Sequence, residues 1–275
     1  KVSELSRRGF ITRAAKLCAG AAALTAVSSA SPTVEAAVKK KIDPTVLPYP
    51  YKKIDPKEAA RIAYEDWFDK YCGYASISGI VKPLTKSVGE PYSSFPMDVG
   101  IFLFGGGVTY GGMCGALVGA GIAVSLVVGD FGCLFPKGKK HKRENSKPAT
   151  FYGINIMNDL INWYTDNQLP LYKPNEPELL DSYTPPRSKS GSPLCHVTLS
   201  RWMKASGQTF GSPERYEMCA RLTADVVART VGYLNDWADG KYKEGEKLLP
   251  VIMHGMTTQH NCTDCHGAKV PAWSR

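Results

Sequence analysis

Residues 113–130, Met-Cys-Gly-Ala-Leu-Val-Gly-Ala-Gly-Ile-Ala-Val-Ser-Leu-Val-Val-Gly-Asp, carry no charge before the final aspartate. A helix that is apolar all round has no face to give to water, so other elements must enclose it. The run is marginal in length for a bilayer span and rich in glycine, which favours a buried helix over a membrane helix. The chain must therefore supply helices to surround it. Asp55-Pro56 offers an N-cap and a proline at the first helical position, followed by Ala59, Ile62, Ala63, Phe68 and Tyr71 on one face, with Cys72 at its end or just beyond. Ile154, Met157, Leu160, Ile161 and Tyr164 mark an amphipathic helix closed by Leu169-Pro170. Ser192-Pro193 opens another with Cys195 and His196 on its first turn. Ser212-Pro213-Glu214 opens the last, where Leu222, Val226, Thr230 and Leu234 recur until Gly240. Residues 173–193 read as a loop, and Gly105–Gly112 as a flexible glycine loop too weak to suggest a phosphate cradle. No stretch alternates as strands do, and the expected fold is mainly α.

The first residues bear on the compartment. Ser6-Arg7-Arg8-Gly9-Phe10-Ile11 resembles a twin-arginine export signal; an alanine-rich run and Ser28-Ser29-Ala30 follow, with a second possible cleavage point after Ala36. Residues 1–30 are read as a signal peptide, against the alternatives of a short amphipathic helix or an anchor. Cys18 leaves with them. Their five Lys/Arg and one Glu account for +4 of the formal +9, so the exported part keeps about +5. The run from Lys137 to Arg143 suits a solvated loop, or docking to an acidic redox partner or anionic membrane. No basic stripe with interleaved aromatics suggests nucleic-acid binding. Residues 31–55 read as an extended linker or wrapping arm, 56–240 as a helical domain, and 241–275 as a separate C-terminal segment.

That last segment contains Cys262-Thr-Asp-Cys265-His266. In a c-type cytochrome two thiols at this spacing add across the haem vinyl groups, and the adjacent histidine ligates the iron. Cys262 and Cys265 are thus candidate haem attachment points and His266 the proximal ligand. A thioredoxin-like CxxC and a zinc site borrowing His254 or His260 are the alternatives. The flanks are polar and loop-like, without the strand and helix that a redox CxxC expects. For the distal position His254 and His260 are the candidates, with Met253 and Met256 as weaker rivals. His196 would need folding proximity, and His141 lies in the basic run.

Five further exported cysteines, Cys72, Cys114, Cys133, Cys195 and Cys219, make no CxxC pair among themselves, but thiolates converging from separate helices suit a cluster. A lone Cys72, then Cys114-Gly115-Ala116-Leu117-Val118-Gly119, then Cys195 and Cys219, resembles the redox-protein family with the signature Cys, Cys-Gly-Ala-x-x-Gly, Cys, Cys. Its branch with a twin-arginine leader and one C-terminal CxxCH is the split-Soret cytochromes c. The resemblance implies a periplasmic homodimer acting as an electron carrier rather than an enzyme. It also implies haem c with two histidine ligands and an iron–sulfur cluster on Cys72, Cys114, Cys195 and Cys219, for which [2Fe–2S] is one form. Periplasmic redox proteins would be its partners. Cys133 falls outside the signature and stands as an alternative cluster ligand. A thiol- or cluster-based reductase and a zinc-thiolate protein are the competing functions.

Overall fold

The computed structural model describes residues 46–129 and 152–243. Cys133, the basic run, His254, His260 and the segment Cys262 to His266 lie outside the described residues, as do the leader and Cys18.

Five helices dominate: α1 Pro56–Val88, α2 Gly115–Val128, α3 Tyr152–Asp166, α4 Cys195–Ser206 and α5 Pro213–Ala238. Two short 3-10 helices, Tyr92–Ser94 and Met97–Leu103, lead into the glycine loop. Helix α2 is the apolar run, and its Ala116, Leu117, Ala120, Ala123 and Val124 are fully buried. It packs against α1, α3 and α5, as a helix without a polar face must. Among the described residues no helix is long and apolar enough to cross a membrane.

Helices α1 and α5 pack along each other, and Ile77, Ile80, Leu84, Val231 and Leu234 join Val124 and Val127 in one core cluster. Each such buried aliphatic side chain contributes about 1.5–3 kcal/mol of transfer free energy. The expected caps form. The Asp55 side chain accepts from Lys57 N, and the Ser212 side chain accepts from Arg215 N. Residues 46–55 pack onto this core: Tyr49 N–H donates to Leu126 O at 2.8 Å, and Tyr51 Oη to Asn235 Oδ1 at 2.8 Å.

Three local features differ from the sequence reading. Helix α1 does not end near Cys72 but breaks at Lys70 and Tyr71, both non-helical, and resumes to Val88. Tyr71 has φ 62°, a strained value for a bulky residue. Its ring packs against Phe104 and Trp67, which helps hold it there. Helix α4 starts at Cys195, because Pro193 and Leu194 are engaged in pairing with residues 113 and 114. Finally, β1 Gln168–Leu169 and β2 Ser188–Lys189 form a two-residue antiparallel pair that pins the 173–193 loop, too short to leave an alternating pattern.

Asp225 on α5 anchors that loop, accepting from Leu171 N–H at 2.6 Å. Burial pushes its carboxyl up to about 7, only partly opposed by the Leu171 and Tyr172 N–H groups and Arg187. Between pH 4 and 7 the folded chain keeps a proton that the unfolded chain has lost, so this residue's contribution to stability falls as pH rises through that window. An Asp225→Asn protein should lose the slope, matching or exceeding the parent at pH 8 with a smaller gap at pH 5. Urea unfolding at both pH values checks this; identical slopes would refute it.

Candidate functional site

Cys72, Cys114, Cys195 and Cys219 all wall one cavity of about 170 Å³ where α1, α2, α4 and α5 meet. Three of them stand at helix starts. Cys72 is the first residue after the break in α1, Cys114 is the N-cap of α2, and Cys195 is the first residue of α4. Helix N-termini leave unpaired N–H groups and partial positive charge, a setting that favours thiolates and other anions. Burial raises the Cys114 and Cys72 thiols, and the N–H groups of Ala116 and Leu117 at Cys114 and of Gly105 at Cys72 partly oppose it. Cys219 comes from within α5.

The backbone explains how segments so distant in sequence are brought together. Cys114 N–H donates to Pro193 O at 2.9 Å and Cys195 N–H to Gly112 O at 2.7 Å, around the Met113–Leu194 bridge. The glycine loop is folded on itself, with Gly112 N–H donating to Gly106 O at 2.9 Å. Gly106 has φ 72°, and a Cβ there would lie 2.9 Å from Cys195 Cβ. A side chain at Gly115 would sit 2.7 Å from Cys72 Sγ. Gly115→Ala should therefore cost about 1–3 kcal/mol through overpacking and displace Cys72. Denaturation midpoints and the cofactor content of the variant test this, and an unperturbed protein would contradict it.

All four thiols are held protonated in the absence of a bound cation. Burial pushes Cys72 up to about 12 and Cys219 up to about 11, and raises Cys114 and Cys195. Mutual repulsion adds to burial: Cys114 and Cys219 raise Cys72, while Cys114, Cys219 and Cys72 raise Cys195. Arg215 works in the opposite direction on Cys195 and Cys219, and the Tyr164 hydroxyl does so on Cys114. A thiol reductase needs an exposed thiol of low pKa, the reverse of this setting. The four are also free of disulfides.

Among the described residues no three His, Cys, Asp or Glu side chains gather tightly enough for a single metal ion. The thiols instead surround a space. A mononuclear zinc site closes four ligands on one point at about 2.3 Å, which the described side chains do not do. A further observation fits an acceptor-rich group in the space: Trp67, in the cavity wall and 4 % exposed, has its indole N–H buried without a partner. His196, next to Cys195, is exposed on the outside of α4.

Four cysteines from separate segments lining one cavity are the arrangement of a four-cysteine redox protein. The profile of the redox-active protein family C_GCAxxG_C_C matches residues 79–233, including Cys114, Cys195 and Cys219. Cys72 lies just upstream of that match, and its placement with the others rests on the cavity. The family pattern runs Gly-Cys-Ala-x-x-Gly, so the residue order expected around the second cysteine needs correction. This chain has Met113 before Cys114 and Gly115 after it, and Gly115 is where Cys72 Sγ leaves no room for a side chain.

The chain is 30% identical over 219 residues to the split-Soret cytochrome c of Desulfovibrio desulfuricans (strain ATCC 27774 / DSM 6949 / MB), covering 79% of this chain and 70% of that protein. It also matches a solved structure described as a novel iron centre in the split-Soret cytochrome c from Desulfovibrio desulfuricans ATCC 27774. The TM-score is 0.62 at 27% identity, over 82% of this chain and 86% of the other. The chain belongs to the split-Soret cytochrome c family, and is a redox electron-transfer protein of the cytochrome c class, a carrier rather than an enzyme.

The sequence reading did not single out Arg215, Tyr164 or Trp67 as site residues. Arg215 was detectable as the residue one helical turn before Cys219. Nothing local marks the other two.

Proposed function

We propose that this chain is a periplasmic electron carrier, exported by the twin-arginine route, with two kinds of redox group. An iron–sulfur cluster is held by Cys72, Cys114, Cys195 and Cys219. A haem c is attached through Cys262 and Cys265 with His266 as proximal ligand and His254 or His260, from the same or a second copy, opposite. The chain works as a homodimer and exchanges electrons with periplasmic redox proteins.

The observation that carries the cluster assignment is the cavity itself: four thiols from four separate segments, three at helix starts, with Cys114 disfavouring the charged forms of Cys72, Cys195 and Cys219. Such a wall suits iron, whose positive charge relieves the repulsion. The haem assignment rests on the CxxCH spacing and on the cytochrome relative. These groups supply one-electron storage; the residues around them fix position, exclude water and set local charge.

Optical spectra of the oxidised and dithionite-reduced protein, with haem and non-haem iron counted per chain, test the proposal. One haem per chain, low-spin bands and additional iron are expected, and a split Soret band would support stacked haems in a dimer. Haem without further iron would refute the cluster. Absence of haem would refute the roles of Cys262, Cys265 and His266.

A further inference from the structure

Arg215 is the one cation among the described residues of the cavity wall. It is 8 % exposed and heavily constrained. Its Nε donates to Phe210 O at 2.6 Å, and its guanidinium carbon lies 4.0 Å from the Tyr216 ring centroid and 4.6 Å from that of Phe210. One helical turn separates it from Cys219, which lines the same cavity and whose thiolate its charge favours. A planar cation held this way is presented to the site in a fixed orientation.

We propose that Arg215 sets the reduction potential of the four-cysteine centre by compensating the negative charge that an added electron brings into the cavity. This rests on the reading of the four cysteines as an iron–sulfur site. Reduction delivers one electron from a one-electron donor, which is itself oxidised by one; no bond forms or breaks. The reduced centre is more negative by one charge, in a cavity whose wall carries that cation. A fixed cation in the same cavity wall as the ligand sulfurs stabilises the reduced state more than the oxidised one, and so raises the potential. The aromatic faces of Phe210 and Tyr216 hold the guanidinium there without supplying a competing carboxylate. Arg221, the next arginine along the helix, is by contrast neutralised by Glu217 at 2.7 Å.

The test uses the full holo-protein with Arg215→Gln and Arg215→Lys. Potentiometric titration with dithionite, followed at the cluster by electron paramagnetic resonance, reads the potential, and non-haem iron is counted in parallel. In Arg215→Gln the ratio of reduced to oxidised centre at the parent's midpoint should fall at least tenfold, equivalent to about 59 mV for one electron. Arg215→Lys, which keeps the charge but loses the planar stacked guanidinium, should fall between the parent and Arg215→Gln. An iron-loaded Arg215→Gln protein with the parent potential would overturn the proposal while leaving the cluster reading intact. Absence of non-haem iron from the parent would instead overturn the cluster reading. If Arg215→Gln loses its iron, Arg215→Lys decides: retention of iron upholds the need for charge, and loss reduces Arg215 to a packing role and overturns the proposal.

Discussion

A Cys114→Ser protein is expected to keep its covalent haem and lose its non-haem iron. Cys114 sits where the site's local supports converge. It is the N-cap residue of α2, and its backbone is tied to Pro193 beside Cys195. Serine suits the N-cap position, where its hydroxyl can supply the cap hydrogen bond that the Cys114 side chain does not make, so the helix should survive. What disappears is the thiolate. Changes in the outer shell of a metal site already cost about 10–100-fold in affinity, and loss of a ligand should exceed that. Iron per chain and the visible spectrum provide the check. Retained iron with an unaltered spectrum would remove Cys114 from the ligand set and point to Cys133, whose own serine variant would then be the one to lose iron.

The second large effect is expected away from the cysteines. Glu217 and Arg221 are both buried, with Arg221 Nε donating to Glu217 Oε1 at 2.7 Å. Tyr64 Oη donates to the same oxygen at 2.8 Å, and Arg221 Nη2 to Tyr183 O at 2.9 Å. Glu217→Ala leaves a buried guanidinium without its carboxylate partner beneath the 173–193 loop. Breaking a buried pair from one side costs about 3–5 kcal/mol, so this variant should be strongly destabilised. Replacing both partners with apolar residues of similar volume should recover most of the loss. Urea unfolding of Glu217→Ala and of Glu217→Leu/Arg221→Met measures both. A single-variant loss below about 1 kcal/mol would mean the pair is solvated and the argument wrong.

The parts of the fold legible in the sequence are those governed by rules spanning one or two turns. Asp55-Pro56 and Ser212-Pro213 open helices because a side-chain acceptor and a preset φ act locally. The burial of α2 was legible because no polar face existed to expose. Ser192-Pro193 looked equally sound, yet the helix begins at Cys195; bonds from Cys114 and to Gly112 claim the intervening backbone, and no local rule sees a partner some eighty residues away. The break at Tyr71 was hidden for a similar reason. Its strained φ is held in part by packing against Phe104, beyond the reach of helical periodicity. For the site, residue type and signature pointed to the four cysteines, whereas Trp67 and Tyr164 are ordinary core aromatics until the fold closes around them.

The spacing of the four cysteines has a mechanical meaning as well as an electronic one. A group bound to all of them would close loops of 42 residues between Cys72 and Cys114, 81 between Cys114 and Cys195, and 24 between Cys195 and Cys219. That is the topology of a branched cross-link, and like a disulfide it would narrow the conformations open to the unfolded chain, most strongly across the longest loop. It also binds the folded chain in preference to the unfolded one, because the cavity exists only after α5 has docked. Removing the group should therefore loosen the starts of α2 and α4 and the resumed half of α1 together, as one cooperative unit, even though those helices lie far apart along the sequence.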